Sequence, residues 1–207
     1  MGGNKLNQSG SMEASVGGTT WQTPQDALGY TRKTFTGSDA DVSEIRIART
    51  GEGLGWGAVY AQYLEDMDKV SSAKGTGLQI ERTFFRDGKE LDSKTVLHVG
   101  DKVTVRLTIS ADRDMDFIQV KDERAACMEP EQQLSGYHWG GGIGYYLVSR
   151  DASTSFFIDQ LRKGTYQLEY TVYIDRAGTY QAGIATIQSA YAPEYSGHTA
   201  GETLTVE

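Results

Sequence analysis

The sequence predicts an all-β chain: an antiparallel β-sandwich of about seven strands, preceded by a shorter β segment. Three observations predict it. Apolar and polar residues alternate with a period of two through most of the chain, which lines one face of a strand and not one stripe of a helix. Tyrosine and glycine are abundant, 12 and 25 among 207 residues, against three prolines. Tyrosine with Val, Ile and Thr suits a pleated, half-buried surface, and glycine suits the turns between strands. The strands also recur at short, regular spacing, with no strand–helix–strand pattern and no internal repeat between them.

In chain order, residues 1–18 are polar and rich in Gly and Ser. They lack the apolar run of a signal peptide and read as a disordered or artificially added leader. Residues 19–70 form the first β segment. Val42, Ile45 and Ile47 mark a strand that ends at Gly51-Glu52-Gly53. From Trp56 to Leu64 apolar side chains fall all round, which fits a strand buried on both faces. Residues 71–77, rich in Ser, Lys and Gly, read as a linker, and residues 78–207 as the sandwich.

Within that sandwich, Leu78, Ile80 and Thr83 to Phe85 lead into Asp87-Gly88, a hairpin signal. After the turn Val99-Gly100-Asp101 comes the clearest strand, with Val103, Val105, Leu107 and Ile109 on one face and Lys102, Thr104, Arg106 and Thr108 on the other. Such strict alternation means one buried and one wet face. Further strands are predicted at Met115 to Lys121, Gly144 to Ser149, Ser155 to Leu161, Thr165 to Ile174, Thr179 to Ser189 and Thr203 to Val206.

Composition narrows the function. The formal charge of −8 with no basic stripe excludes a nucleic-acid partner. No stretch reaches the roughly 20 apolar residues of a membrane helix. The single cysteine, Cys127, lies in the small apolar run Ala125-Ala126-Cys127-Met128 and is expected inside. His98, His138 and His198 are far apart and form no metal-ligand spacing, so neither a metal nor a cofactor is expected. No serine context resembles a nucleophile elbow. The acids Asp122, Glu123, Glu129 and Glu131 near Tyr137 and Trp139 raise the question of a paired-carboxylate site, which a solvated surface loop answers more economically.

The segment Val120-Lys121-Asp122-Glu123-Arg124-Ala125-Ala126-Cys127-Met128-Glu129-Pro130 carries a resemblance, continued by Leu134-Ser135-Gly136-Tyr137 and Trp139. Gly144-Tyr145-Tyr146, Asp151 to Thr154, Leu161 to Tyr170, Ala177-Gly178 and Tyr191-Ala192-Pro193-Glu194 follow in the same order. From about Leu78 onward the chain is similar to the C-terminal macroglobulin domain of bacterial alpha-2-macroglobulins. Upstream, Leu28-Gly29-Tyr30, Phe35 and Gly55 to Tyr60 resemble the returning part of that family's CUB-like domain.

The resemblance implies a non-catalytic structural and interaction domain of a protease-trapping protein. It places that protein outside the cytoplasm, in the periplasm or at the cell surface, held by a lipoprotein anchor. The implied partners are the thioester-type helical domain, neighbouring macroglobulin domains and, through the whole protein, target proteases. Cys127-Met128-Glu129-Pro130 is not the family's thioester motif, and Ala190 stands where relatives carry Met. The implied structural or interaction residues are Asp122, Glu123, Arg124, Cys127, Met128, Glu129, Tyr137, Trp139, Tyr191 and Glu194. Arg124 is expected to pair with Asp122, Glu123 or Glu129, because a buried guanidinium needs an acceptor. A module of a different class, a carbohydrate-binding or adhesion sandwich with Tyr137, Trp139 and Tyr145 as its platform, is the alternative.

Overall fold

The computed structural model describes residues 10–22, 30–36, 44–51, 55, 57–60, 62–92 and 95–207. They fall into two compact units, residues 1–62 and 63–207. In the first, β1 (Ser11–Val16) pairs antiparallel with both β2 (Thr19–Gln22) and β3 (Ile45–Thr50). Residues 11–18, read above as leader, therefore form a strand and its turn. The reason is local: Met12, Ala14 and Val16 alternate with Glu13 and Ser15, and Gly17-Gly18 adopts the positive φ of a two-residue hairpin. Val16 is the only apolar side chain of this unit fully buried among the described residues.

The strand expected from Trp56 to Leu64 is not formed. Residues 57–60 and 62–64 are irregular and exposed, and Val42, Leu28, Gly29, Trp56 and Ala61 lie outside the described residues. A pattern that is apolar on both faces calls for cover on both sides, and no described strand pairs with this segment.

The second unit is the sandwich. One sheet has the order β5-β4-β6-β12-β8, from β4 (Leu78–Arg86), β5 (Lys89–Glu90), β6 (Lys102–Ala111), β8 (Met128–Pro130) and β12 (Gly164–Ile174). The other has the order β15-β14-β7-β11-β10-β9. Its strands are β7 (Met115–Glu123), β9 (Gly136–Gly140), β10 (Ile143–Ser149), β11 (Ser153–Leu161), β14 (Ala185–Ser189) and β15 (Ser196–His198). A separate ribbon joins β13 (Gly178–Ala182) to β16 (Glu202–Val206). The seven principal strands are β4, β6, β7, β10, β11, β12 and β14, and short edge strands extend both sheets.

The core lies between the sheets, where Val103, Val105, Leu107 and Ile109 of β6 and Leu168 and Val172 of β12 meet Ile118 and Val120 of β7 and Phe156 and Ile158 of β11. Each such side chain stabilises the fold by roughly 2 kcal/mol on burial. The run expected as one strand from Thr179 to Ser189 is two. It breaks at residues 183–184, where the chain changes partner from β16 to β7 and the Ile184 carbonyl accepts the Glu123 N–H at 3.3 Å. Residues 71–77 run along the sandwich, with Ala73 bridged to His198 and the Gly75 backbone against Ser196.

Candidate functional site

Strand alternation sorts the residues of the 120–131 segment. Ile118, Val120 and Asp122 point inward along β7, while Lys121 and Glu123 point outward, where Lys121 Nζ donates to Glu123 at 2.7 Å. Asp122 thus enters the core, and β4 supplies its partner: Arg82, inward between Ile80 and Phe84. Arg82 Nη1 donates to Asp122 Oδ1 at 2.6 Å, both side chains being 1% exposed. From the facing sheet the Tyr170 hydroxyl donates to Asp122 Oδ2 at 2.6 Å. The Phe84 ring lies 5.3 Å below the guanidinium.

Electrostatics follow from this burial. Desolvation opposes the Arg82 charge, but the Asp122 and Glu202 carboxylates outweigh it and hold the guanidinium above its ordinary value. Burial, with the Asp122 charge beside it, lifts the Tyr170 phenol far above its usual range, so it remains a donor. Burial also lowers Arg124, and raises the thiol of Cys127 and the carboxyl of Glu202.

Arg124 does not bind a carboxylate. It follows the end of β7, beyond the alternation that carried Asp122 inward, and turns into the loop before β11. There it donates to Thr154 Oγ1 at 2.5 Å, to the Arg150 carbonyl, and to the Asp151 carbonyl at 2.9 Å. Five donors in a planar fork can satisfy several carbonyls at once, and so Arg124 closes a loop instead of forming an ion pair. Cys127 and Met128 are buried beside it, Cys127 in the turn and Met128 opposite Ile174. Glu129 is exposed on the edge strand β8.

The four acids weighed as a catalytic pair do not share a cleft. Asp122 is enclosed by Arg82 and Tyr170, Glu123 sits on the outer face with Lys121, Glu129 faces solvent, and Glu131 is held by Lys102 and Tyr173 at 2.6 and 2.9 Å. Among the described residues no group of three or more His, Cys, Asp or Glu side chains converges.

Two aromatic surfaces stand out. On the edge strand β9, Tyr137 and Trp139 share the outer face and are 81% and 79% exposed. Tyr137 meets Tyr146 edge-on at 4.8 Å, and the Trp139 ring lies over Gly144, whose Cβ, were there one, would stand 3.2 Å from it. Tyr145 faces the other way and packs edge-on against the core ring of Phe156 at 5.3 Å. It is therefore not part of one platform with the other two.

Of the second surface, the resemblance implied Tyr191 and Glu194 but not Phe117. Phe117, at φ 55°, departs from β7 geometry in a conformation rarely adopted by a bulky residue. Its ring meets Tyr191 edge-on at 5.3 Å, and the two are 51% and 81% exposed. The Phe117 carbonyl accepts the Ala190 N–H at 2.9 Å, which fixes the Tyr191 loop to this kink, with Glu194 exposed in the following turn. A kink in a strand carries no composition signal.

Comparison with known proteins places these features in a family. The chain is 25% identical over 164 residues to circularly permutated Ras protein 2 of Dictyostelium discoideum, covering 76% of this chain and 4% of that protein. It is 29% identical over 127 residues to the alpha-2-macroglobulin homolog of Nostoc, covering 56% of this chain and 6% of the relative. The chain thus spans only a small part of the length of either relative. In fold it matches native alpha-2-macroglobulin of Escherichia coli from domain MG7 to the C-terminus. The TM-score there is 0.55 at 15% identity, over 95% of this chain and 33% of the other. The family model of the bacterial alpha-2-macroglobulin MG10 domain matches residues 77–194. That match takes in Arg82, Asp122, Arg124, Tyr137, Trp139 and Tyr191 and more than half of the chain, which belongs to the bacterial alpha-2-macroglobulin MG10 domain family.

Proposed function

We propose that residues 78–207 serve as a non-catalytic structural and interaction domain of a larger alpha-2-macroglobulin-like protein that traps proteases outside the cytoplasm. In this reading residues 19–70 are the returning part of a CUB-like domain, and residues 71–77 link the two. The partners are the thioester-type helical domain and neighbouring macroglobulin domains, with proteases engaged by the whole protein. A lipoprotein anchor holds that protein in the periplasm or at the cell surface.

The supporting observation is the Phe117–Tyr191 pair. Two large rings held in solvent by a backbone conformation that costs on the order of 1–3 kcal/mol have no role in the core. Exposed aromatics on a rigid mount are what a domain contact uses. The backbone bond from the Ala190 N–H to the Phe117 carbonyl gives the mount its rigidity. The test is binding of this chain to the remaining domains of the full-length protein, intact and protease-nicked. Tyr191→Ala is expected to weaken binding to the intact form by about tenfold or more, and nicking to change the wild-type affinity. Equal binding in all four combinations, or none, overturns the proposal.

A second reading has its own observation. Tyr137 and Trp139, two residues apart on one strand face and open to solvent, offer the flat rings on which a sugar stacks. A glycan array on wild type and Trp139→Ala tests it: hits lost in the variant support it, and an empty array ends it.

A further inference from the structure

The Arg82 guanidinium is only half used. Nη1 bonds Asp122, but Nε and Nη2 are buried and have no acceptor. These two donors form the side-on edge of the guanidinium, the edge that grips a carboxylate through two parallel hydrogen bonds. Leaving them unmade inside a protein is costly, so an acceptor able to reach them is strongly favoured.

One group is placed to do so. Glu202 opens β16 opposite Ala182, the last residue of β13. Ala182 lies two residues before Ile184, whose carbonyl binds the Glu123 N–H. The carbonyl of Glu123 in turn faces Arg82 Nη1 at 3.4 Å. Glu202 is half-buried and acts on Arg82 and Asp122 through space without bonding Nε or Nη2. The charged groups around it are Arg82 on β4 and Asp122 on β7, with the Tyr170 hydroxyl on β12 and Arg124 beyond them. Two guanidiniums and two carboxylates balance, and protonating Glu202 leaves a net positive charge in the core.

We propose that Glu202 is a latch: its carboxylate turns onto the Nε–Nη2 edge of Arg82, and this second ion pair fastens the β13–β16 ribbon to the sandwich. The closed state requires an ionised carboxylate. The contribution of Glu202 to ribbon attachment is therefore complete above its titration and is lost as pH falls through it.

The test is amide hydrogen exchange in β13 and β16 of the 207-residue chain, wild type against Glu202→Gln, at about pH 7.5 and about pH 4.5. Rates are corrected for intrinsic exchange and referred to β6 in the same sample. At the higher pH the variant is expected to exchange in the ribbon about tenfold faster than wild type, with β6 unchanged. At the lower pH wild type is expected to approach the variant, which itself barely responds to pH. The Arg82 Nε–H resonance reads the contact directly, protected in wild type at the higher pH and exchanging faster in the variant. Ribbon amides in Glu202→Gln as protected as wild type or more so at the higher pH overturn the latch, since Glu202 would then be a charge repelled by Asp122. A loss of protection shared equally by β6 overturns it too, because the effect would be global.

Discussion

Arg82 occupies a position that the pleat of β4 assigns to an apolar side chain, between Ile80 and Phe84. Alternation alone could not reveal it, because a charge at an inward position reads as the end of the pattern, and its partner is 40 residues away. Arg124 was legible as a buried guanidinium but not in its acceptors, since carbonyls leave no trace in a sequence. Breaking a buried pair from one side strands a charge. Asp122→Asn is therefore expected to cost about 3–5 kcal/mol in urea unfolding, while Arg82→Met with Asp122→Leu costs clearly less than the sum of the single changes. Additive losses would mean that the two side chains do not depend on each other.

Asp101 carries a pH signature. Burial pushes its carboxyl up, but the His98 N–H at 2.9 Å and Arg86 at 2.5 Å outweigh that and hold it below the usual aspartate range. A depressed carboxyl contributes stability above its unfolded pKa and loses that contribution as pH falls through the folded value. Asp101→Asn is expected to cost about 1 kcal/mol near neutrality and almost nothing in strong acid. Unfolding curves recorded across the acid range check this; a constant difference would refute it.

At the scale of elements, the long strands were legible because burial on one face forces strict alternation, as in β6 and β12. The short strands β5, β8, β9 and β15 were not, since two to five residues hold too little pattern and are defined by their neighbours. The segment 57–64 failed for the opposite reason: its pattern records a need for cover without saying whether a partner strand is present. Turns divide in the same way. Gly88 (φ +76°) and Gly141 (φ +59°) both sit in two-residue hairpins, but nothing lies near Gly88, whereas a Cβ at Gly141 would stand 2.0 Å from the Gln167 carbonyl oxygen. Gly88→Ala should cost about 1 kcal/mol, the left-handed penalty alone, and Gly141→Ala about 3 kcal/mol, because the hairpin must also leave β12. Thermal melts of both variants decide, and equal shifts would mean the close approach is not maintained.

For the whole molecule, the weight of the fold rests in one unit. Every member of the main core cluster lies between Leu78 and Val206. A chain of residues 63–207 is therefore expected to melt within about 2 °C of the full chain. Residues 1–62 alone should show no cooperative transition by circular dichroism, since Val16 is the only buried apolar side chain among their described residues. A drop of many degrees on truncation would assign the first unit a stabilising role. The same core has a practical consequence through Cys127, the chain's lone sulfhydryl, wholly buried and with its thiolate disfavoured by desolvation. A thiol reagent can reach it only when the turn before β8 opens. The protein thus contains a built-in clock: with reagent concentrated enough that alkylation outpaces reclosing, the rate under native conditions counts the openings of that turn.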